Sequence, residues 1–221
     1  MPGPDPGRRT PAVPEPSRSV ILEVEARDGT PMLVRPILPD DADRLRAGFH
    51  ELSDESRYLR FMAPLAELSD EQVQHLTEID YHDHMAWVAL DPTRPGQPGL
   101  GVARYVRVAD EPTVAEAAVT VVDSHHGRGI GTILLAMLAL SARENGITTF
   151  RAFVLEENLT VLEILREMGG SVEQFDGSVM KVDVPIPEDP DDLPDTPTGR
   201  VFRAAARRLI PPGSILYRHL P

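Results

Sequence analysis

From Val20 to Ala26 the chain alternates Ile21, Glu23 and Glu25 with Leu22 and Val24, and this two-residue period predicts a strand. Asp28-Gly29 signals a hairpin turn, with Met32 to Ile37 as the partner strand. The period then changes. Pro39-Asp40-Asp41 opens a helix carrying Leu45 and Phe49 one turn apart, Ser53 to Phe61 predicts a second helix, and the capping box Ser69-Asp70-Glu71-Gln72 starts a third through Val73 and Leu76. Apolar runs at Met85 to Leu90, Leu100 to Val106 and Val114 to Val122 predict strands, with turns at the prolines of 92–98 and at Glu111-Pro112. A glycine-rich loop, Gly127 to Gly131, enters an apolar helix from Ile130 to Asn145 that Gly146 is placed to end. Thr148 to Leu155 predicts a strand, and Leu159 to Met168 a helix stopped by Gly169-Gly170. Ser171 to Phe175 and Ser178 to Val184 would pair across Asp176-Gly177. Mixed strands and helices around one strand–loop–helix–strand unit argue an α/β fold (α+β by some schemes) with a mixed sheet. No internal repeat is visible.

Composition changes at both ends. Residues 1–18 are proline-rich and polar, and predict a disordered tail. An ordered domain is expected over 19–184, followed at 185–221 by an acidic, proline-rich linker and a short basic amphipathic helix, Arg200 to Ile210. That helix, with Phe202, Ala206 and Leu209 on one face, is expected to dock on the domain's own surface. No signal-peptide core follows Arg8 and Arg9, and the longest apolar run, Ile130 to Leu140, is far below the roughly 20 residues of a membrane helix. A soluble cytoplasmic protein without membrane contact is expected. A net charge of −13 has the wrong sign for diffuse nucleic-acid binding. The absence of cysteine excludes thiolate metal sites and a cysteine nucleophile. Lys181 is the only lysine, so self-modification on lysine would have one candidate.

The strongest chemical signal is the run from Val121-Val122-Asp123 through Ser124-His125-His126-Gly127-Arg128-Gly129-Ile130-Gly131-Thr132. Glycines let backbone approach an anion, and the free N–H groups of the helix start, with the macrodipole, favour phosphate. A P-loop would need lysine after its last glycine; here Thr132 follows Gly131. A dinucleotide fingerprint would need a glycine where Thr132 stands. The spacing Gly127, Gly129, Gly131 instead resembles the pyrophosphate loop of the GNAT superfamily, the Gcn5-related N-acetyltransferases. The resemblance covers about Val34 to Gly170 and is nearest to the GNAT domain of bacterial Pat-type protein lysine acetyltransferases. It is carried also by Leu52 to Phe61, Ile79 to Ala86 and Gly101 to Tyr105. His126 stands where that family usually has Gln or Arg.

The resemblance implies a GNAT fold, a central mostly antiparallel sheet flanked by helices, and acetyl-CoA as co-substrate without a metal. The pyrophosphate would lie on His126, Gly127, Arg128, Gly129, Ile130, Gly131 and Thr132. The pantetheine arm would run along Val119, Thr120 and Val121, and Asn158 would lie near the cofactor, with helix capping as its other role. Glu116, in the strand before the loop, would be the general base, and its apolar neighbours predict burial and a raised pKa. Leu165 occupies the place of the tyrosine general acid found in many relatives, so that acid is absent. The implied function is acetyl transfer to a primary amine, most plausibly a protein lysine, by direct attack in a ternary complex. The alternatives are a weakly catalytic acyl-CoA-binding module and a small-molecule amine acetyltransferase. Oligomeric state is not legible. His82-Asp83-His84 lacks a second ligand cluster for a metal; Tyr81 and His84 would instead line the acceptor cleft, and Arg57, Tyr58 and Arg60 would border it. Asp40, Asp54, Asp70, Glu71 and Asp80 would suit a cationic acceptor.

Overall fold

The structure, a computed structural model, describes residues 20–209. The tail expected over 1–18 therefore lies outside the described residues. Eight strands form one sheet: β1 (Leu22–Glu25), β2 (Pro31–Pro36), β3 (His84–Leu90), β4 (Gly99–Val108), β5 (Glu111–Val121), β6 (Thr149–Leu155), β7 (Ser171–Asp176) and β8 (Val179–Pro185). Their order is β1-β2-β3-β4-β5-β6-β8-β7, and every pairing is antiparallel except β5 with β6. The helices are α1 (Ala42–His50), α2 (Asp54–Phe61), α3 (Asp70–Thr77), α4 (Ile130–Glu144), α5 (Leu159–Glu167) and α6 (Pro197–Leu209).

Local chemistry sets the boundaries that matter. The Ser53 hydroxyl caps α2 by accepting from the Ser56 N–H at 3.1 Å. In α3 the Ser69 hydroxyl accepts from the Gln72 N–H, and the Gln72 amide returns the bond to the Ser69 N–H at 2.8 Å. Gly146, at φ +74°, turns the chain out of α4. The turn expected at Glu111-Pro112 falls instead at residues 109–110. The β4–β5 register shifts there, and a proline in an irregular stretch is not asked for a ladder N–H.

Helices α1–α3 cover one face of β3 and β4, where Leu45, Phe49 and Phe61 line a small cavity together with Val88 and Val102. On the other face α4 is pinned by the Trp87 indole, which donates to the Ser141 hydroxyl at 3.0 Å. The apolar interior divides along the sheet. One cluster joins β1–β5 to α4 through Val34, Trp87, Ala115, Leu134 and Met137. A second joins β6, β8 and α5 through Val154, Leu162 and Val182.

The acidic stretch after β8 is folded down rather than extended. Ile186 is buried, Pro190–Asp192 form a 3-10 turn, and Leu193 packs on the second cluster. Helix α6 then lies over α4 and α5, with Phe202 in the second cluster and Ala205 against the first. Thr196 Oγ1 donates to the Glu167 carbonyl at 2.9 Å, and Thr198 Oγ1 donates to the Glu167 carboxylate.

Candidate active site

Strands β5 and β6 pair only from Val114↔Thr149 to Glu116↔Arg151. Beyond Glu116 they separate, and one side of β5 loses its ladder. His126 Nε2 donates to the Val121 carbonyl at 2.8 Å, so that carbonyl faces the gap. By strand alternation the N–H and C=O of Val119 face the gap as well, while those of Thr120 face β4. Of the three residues expected along a pantetheine arm, Val119 thus offers free backbone to the gap. Val121 offers a carbonyl already engaged by His126. Thr120 contributes its side chain to the lining only.

The gap opens into a cleft of about 1130 Å³. Its walls come from α2 (Ser56, Leu59, Arg60), β5 (Glu116 to Val121), α4 (Leu135, Ala139) and α5 (Val161, Leu165). Phe202 and Ala206 of α6 also reach it, so the C-terminal helix shapes the cleft. Asn158 lines it too, and its Oδ1 caps α5 by accepting from the Val161 N–H at 3.3 Å.

The glycine loop stands at the mouth. Gly127 and Gly129 have φ of +74° and +83°, conformations costly for side-chain-bearing residues. The first intrahelical bond of α4 is from the Ile133 N–H to the Gly129 carbonyl at 3.1 Å. The N–H groups of Ile130, Gly131 and Thr132 precede it and have no backbone partner in the helix. A Cβ at Gly131 would rest on the side chains of Val121 and Val119 at 3.5 and 3.7 Å, ordinary contact distances, so the helix start packs closely on β5 there. Two anchors fix the loop. The Arg27 N–H donates to the Arg128 carbonyl at 2.8 Å, and the Arg128 guanidinium reaches Asp28 at 3.4 Å and the Ser124 carbonyl at 3.0 Å. Asp123 accepts from the Ser53 N–H and the Ser56 hydroxyl, both at 2.5 Å. Burial opposes ionisation of Asp123, but those hydrogen bonds prevail and hold its pKa below the usual carboxylate value. The sequence carried no sign of the Arg27-Asp28 anchor, because it spans a hundred residues.

Glu116 lines the cleft but is exposed. The burial expected from its neighbours fails because Ala115 and Ala117 face α4, whereas Glu116 points to the other side of the sheet. Two guanidinium groups lie on its side of the sheet, and Arg60 is the one it interacts with. Arg104 is buried on the same face one strand away, where its register partner is Ala118. It donates to the Leu76 carbonyl and to His84 Nε2 at 2.9 Å. Burial lowers the Arg104 pKa to about 9, and burial followed by the Arg104 charge lowers that of His84 to about 4. Arg60 borders the cleft; burial lowers its pKa, and Glu116 is the acid that opposes this. Among the described residues no carboxylate lies within 4 Å of Arg60.

Other nominated residues fall elsewhere. His84 is buried against Arg104, while His82 is paired with Asp83, so the two do not converge, and no group of three ligands for a metal occurs among the described residues. Tyr81 is buried and its hydroxyl donates to the Ile37 carbonyl, so it does not line the cleft. Arg57 lies over the Phe49 ring at 5.0 Å and pairs with Asp54. Asp70 pairs with Arg46, and Asp80 Oδ1 accepts from the N–H groups of His82 and His84. These acids serve local structure. No helix among the described residues is long and apolar enough to cross a membrane.

Residues 32–171 match the model of the acetyltransferase (GNAT) domain. The Pat acetyltransferase of Mycolicibacterium smegmatis is 35% identical over 166 residues, which are 75% of this chain and 49% of that enzyme. The chain thus spans about half the length of that relative. The crystal structure of the GNAT domain of Streptomyces lividans PAT superposes with a TM-score of 0.67 at 35% identity, covering 75% of this chain and 96% of that one. YncA of Salmonella typhimurium, solved with its cofactor acetyl-CoA, shares 15% identity and a TM-score of 0.54 over 71% of this chain and 95% of its own; that likeness carries the fold alone.

Proposed function

The chain belongs to the GNAT acetyltransferase family, and from that premise we propose that it transfers an acetyl group from acetyl-CoA to a primary amine, a protein lysine, in the cytoplasm. The observation that carries the proposal is the separation of β5 from β6 directly beyond Glu116, with free helix N–H groups at the mouth of the same cleft. Acetyl-CoA supplies an activated acetyl as a thioester.

The chain's residues fit that ligand at three points. The N–H groups of Ile130, Gly131 and Thr132, at the positive end of α4, face the place of a pyrophosphate, with Gly127, Arg128 and Gly129 shaping the loop. Val119 offers backbone groups to an extended amide-bearing arm, and Asn158 borders the same passage. His126 holds the Val121 carbonyl and narrows the entrance.

Glu116 is the general base. A lysine ammonium has a pKa of about 10.4 and must lose a proton before it can attack. The exposed Glu116 carboxylate draws the cationic amine and takes that proton, directly or through water. With Leu165 in the wall instead of a tyrosine, the thiolate leaves without an acid from this position; a thiol is a far better leaving group than an amine.

The experiment is steady-state release of coenzyme A thiol with a lysine peptide, in the wild type and in Glu116→Gln. We expect acetyl-CoA to stabilise both against heat by the same amount and turnover to fall roughly 10²-fold in the variant. Equal turnover would remove Glu116 from the mechanism; no stabilisation by millimolar acetyl-CoA would remove the cofactor assignment.

A further inference from the structure

Among the described residues, the face of the sheet that bears Glu116 continues across β6, β8 and β7 without joining any of the three apolar clusters. Register places Glu116, Arg151 and Asp183 in one row across it, and Phe153, Lys181 and Glu173 in the next. Helices α1–α3 lie on β3 and β4 on this side of the sheet, and α4–α6 lie on the opposite face. The bare part presents Phe175, which is 61% exposed and has its ring 4.8 Å from that of Phe153. An aromatic pair this open beside the cleft is unusual on a free surface, where large apolar side chains tend to be covered.

The charge of the face is one-sided. It carries the carboxylates of Glu111, Glu116, Glu173, Asp176 and Asp183 against the two cations Arg151 and Lys181. Both cations are committed. Arg151 is held at 2.8 Å by Asp183 and at 2.5 Å by Glu111, and Lys181 lies 2.9 Å from Glu173. Five carboxylates against two cations leave an excess of three negative charges on this face, which Arg60 beside Glu116 offsets only in part.

We propose that this bare face is the docking surface for the acceptor protein, and that it selects a lysine whose neighbouring segment is cationic. The proposal rests on the lysine acetyltransferase reading above. From β5 to β7 is three interstrand spacings, about 14 Å. About four residues of extended chain cover that distance at 3.3 Å each. An acceptor with its lysine at Glu116 therefore sets residues about four positions away over Glu173, Phe175 and Asp176. An arginine there meets the Asp176 carboxylate, and that of Glu173 shared with Lys181, with its guanidinium and the Phe175 face with its stem. Of the acids nominated from sequence, Asp54, Asp70 and Asp80 are engaged in local structure, and the β7–β8 hairpin is where the selectivity is assigned.

The test uses two synthetic peptides with one central lysine, bearing either arginine or glutamate four positions to each side, and follows thiol release at low salt. Wild type should favour the arginine peptide at least tenfold in kcat/KM. Glu173→Lys with Asp176→Lys should abolish or invert that preference while heat stabilisation by acetyl-CoA is unchanged. Phe175→Ala should raise KM for the arginine peptide with kcat held. Equal rates for the two peptides, or a preference untouched by charge reversal, would overturn the docking surface and leave lysine acetylation standing. Failure of both peptides to turn over at millimolar concentration, with acetyl-CoA still bound, would overturn both readings.

Discussion

His84 makes the fold sensitive to mild acid. It is 9% exposed, and its Nε2 accepts a hydrogen bond from the buried Arg104 at 2.9 Å. Protonation would set a second cation against that guanidinium and turn the acceptor into a donor. Burial and the Arg104 charge accordingly hold its pKa at about 4, against 6.5 for a free histidine. The unfolded chain thus binds a proton between pH 6.5 and 4 that the folded protein refuses. Stability is full above pH 6.5 and is lost as pH falls through this window. For one group with these two values the loss between pH 7 and pH 5 is about 2 kcal/mol. At this size it corresponds to a fall in Tm of roughly 4–8 °C. Depressed carboxylates such as Asp41 and Asp83 act in the same direction but at lower pH, below about 4. The assay is urea unfolding at pH 7 and pH 5 for wild type and His84→Gln, whose amide oxygen can still accept from Arg104. The variant should be less stable than wild type at pH 7 and lose about 2 kcal/mol less on acidification. An equal loss in both proteins would show that His84 does not titrate in this range, and the account of the Arg104 pair would be wrong.

Three further outcomes follow from the cleft. Gly129→Ala forces a side chain into φ +83°, so stability should fall by about 1–2 kcal/mol and acetyl-CoA should bind measurably more weakly by calorimetry. Asp123→Ala removes the acceptor for the Ser53 N–H and the Ser56 hydroxyl and frees α2 from the loop; the loss should be about 1–3 kcal/mol by chemical denaturation, with KM for acetyl-CoA raised. Phe202→Ala should cost about 2–4 kcal/mol, because it opens the second apolar cluster and the floor of the cleft together; an unchanged Tm would mean that α6 is only loosely seated.

Much of this was written in local pattern. The two-residue period over Val20 to Ala26, the capping box at Ser69, and the glycine that ends α4 each depend on neighbours a few positions away. The glycine loop was legible for the same reason, since positive φ at Gly127 and Gly129 is a local demand. Glu116 lies on the strand expected and lines the cleft, but its setting was misjudged. A run such as Ala115 to Val122 looks apolar when read along the chain, yet alternate residues face different sides of the sheet. Arg104 read as an ordinary polar position in a strand; only the packing of α3 reveals it as a buried cation. The stretch 186–195 looked like linker because its apolar anchors, Ile186 and Leu193, follow no period. Pairings such as Asp28 with Arg128 leave no trace until the chain is folded.

The short seam between β5 and β6 also bears on how the molecule folds and breathes. Three register pairs join the two halves of the sheet, while each half keeps its own apolar cluster. The β6–β8–β7 half is contiguous in sequence and closes largely on itself, so it has the makings of a separate cooperative unit. What ties it to the rest is the crossover helix α4 and, from the far end of the chain, α6 laid over α4 and α5. Amides of β6 beyond Arg151 should therefore exchange with solvent through a sub-global opening that spares β3 and β4. The same seam that admits a ligand is the line along which this fold first comes apart.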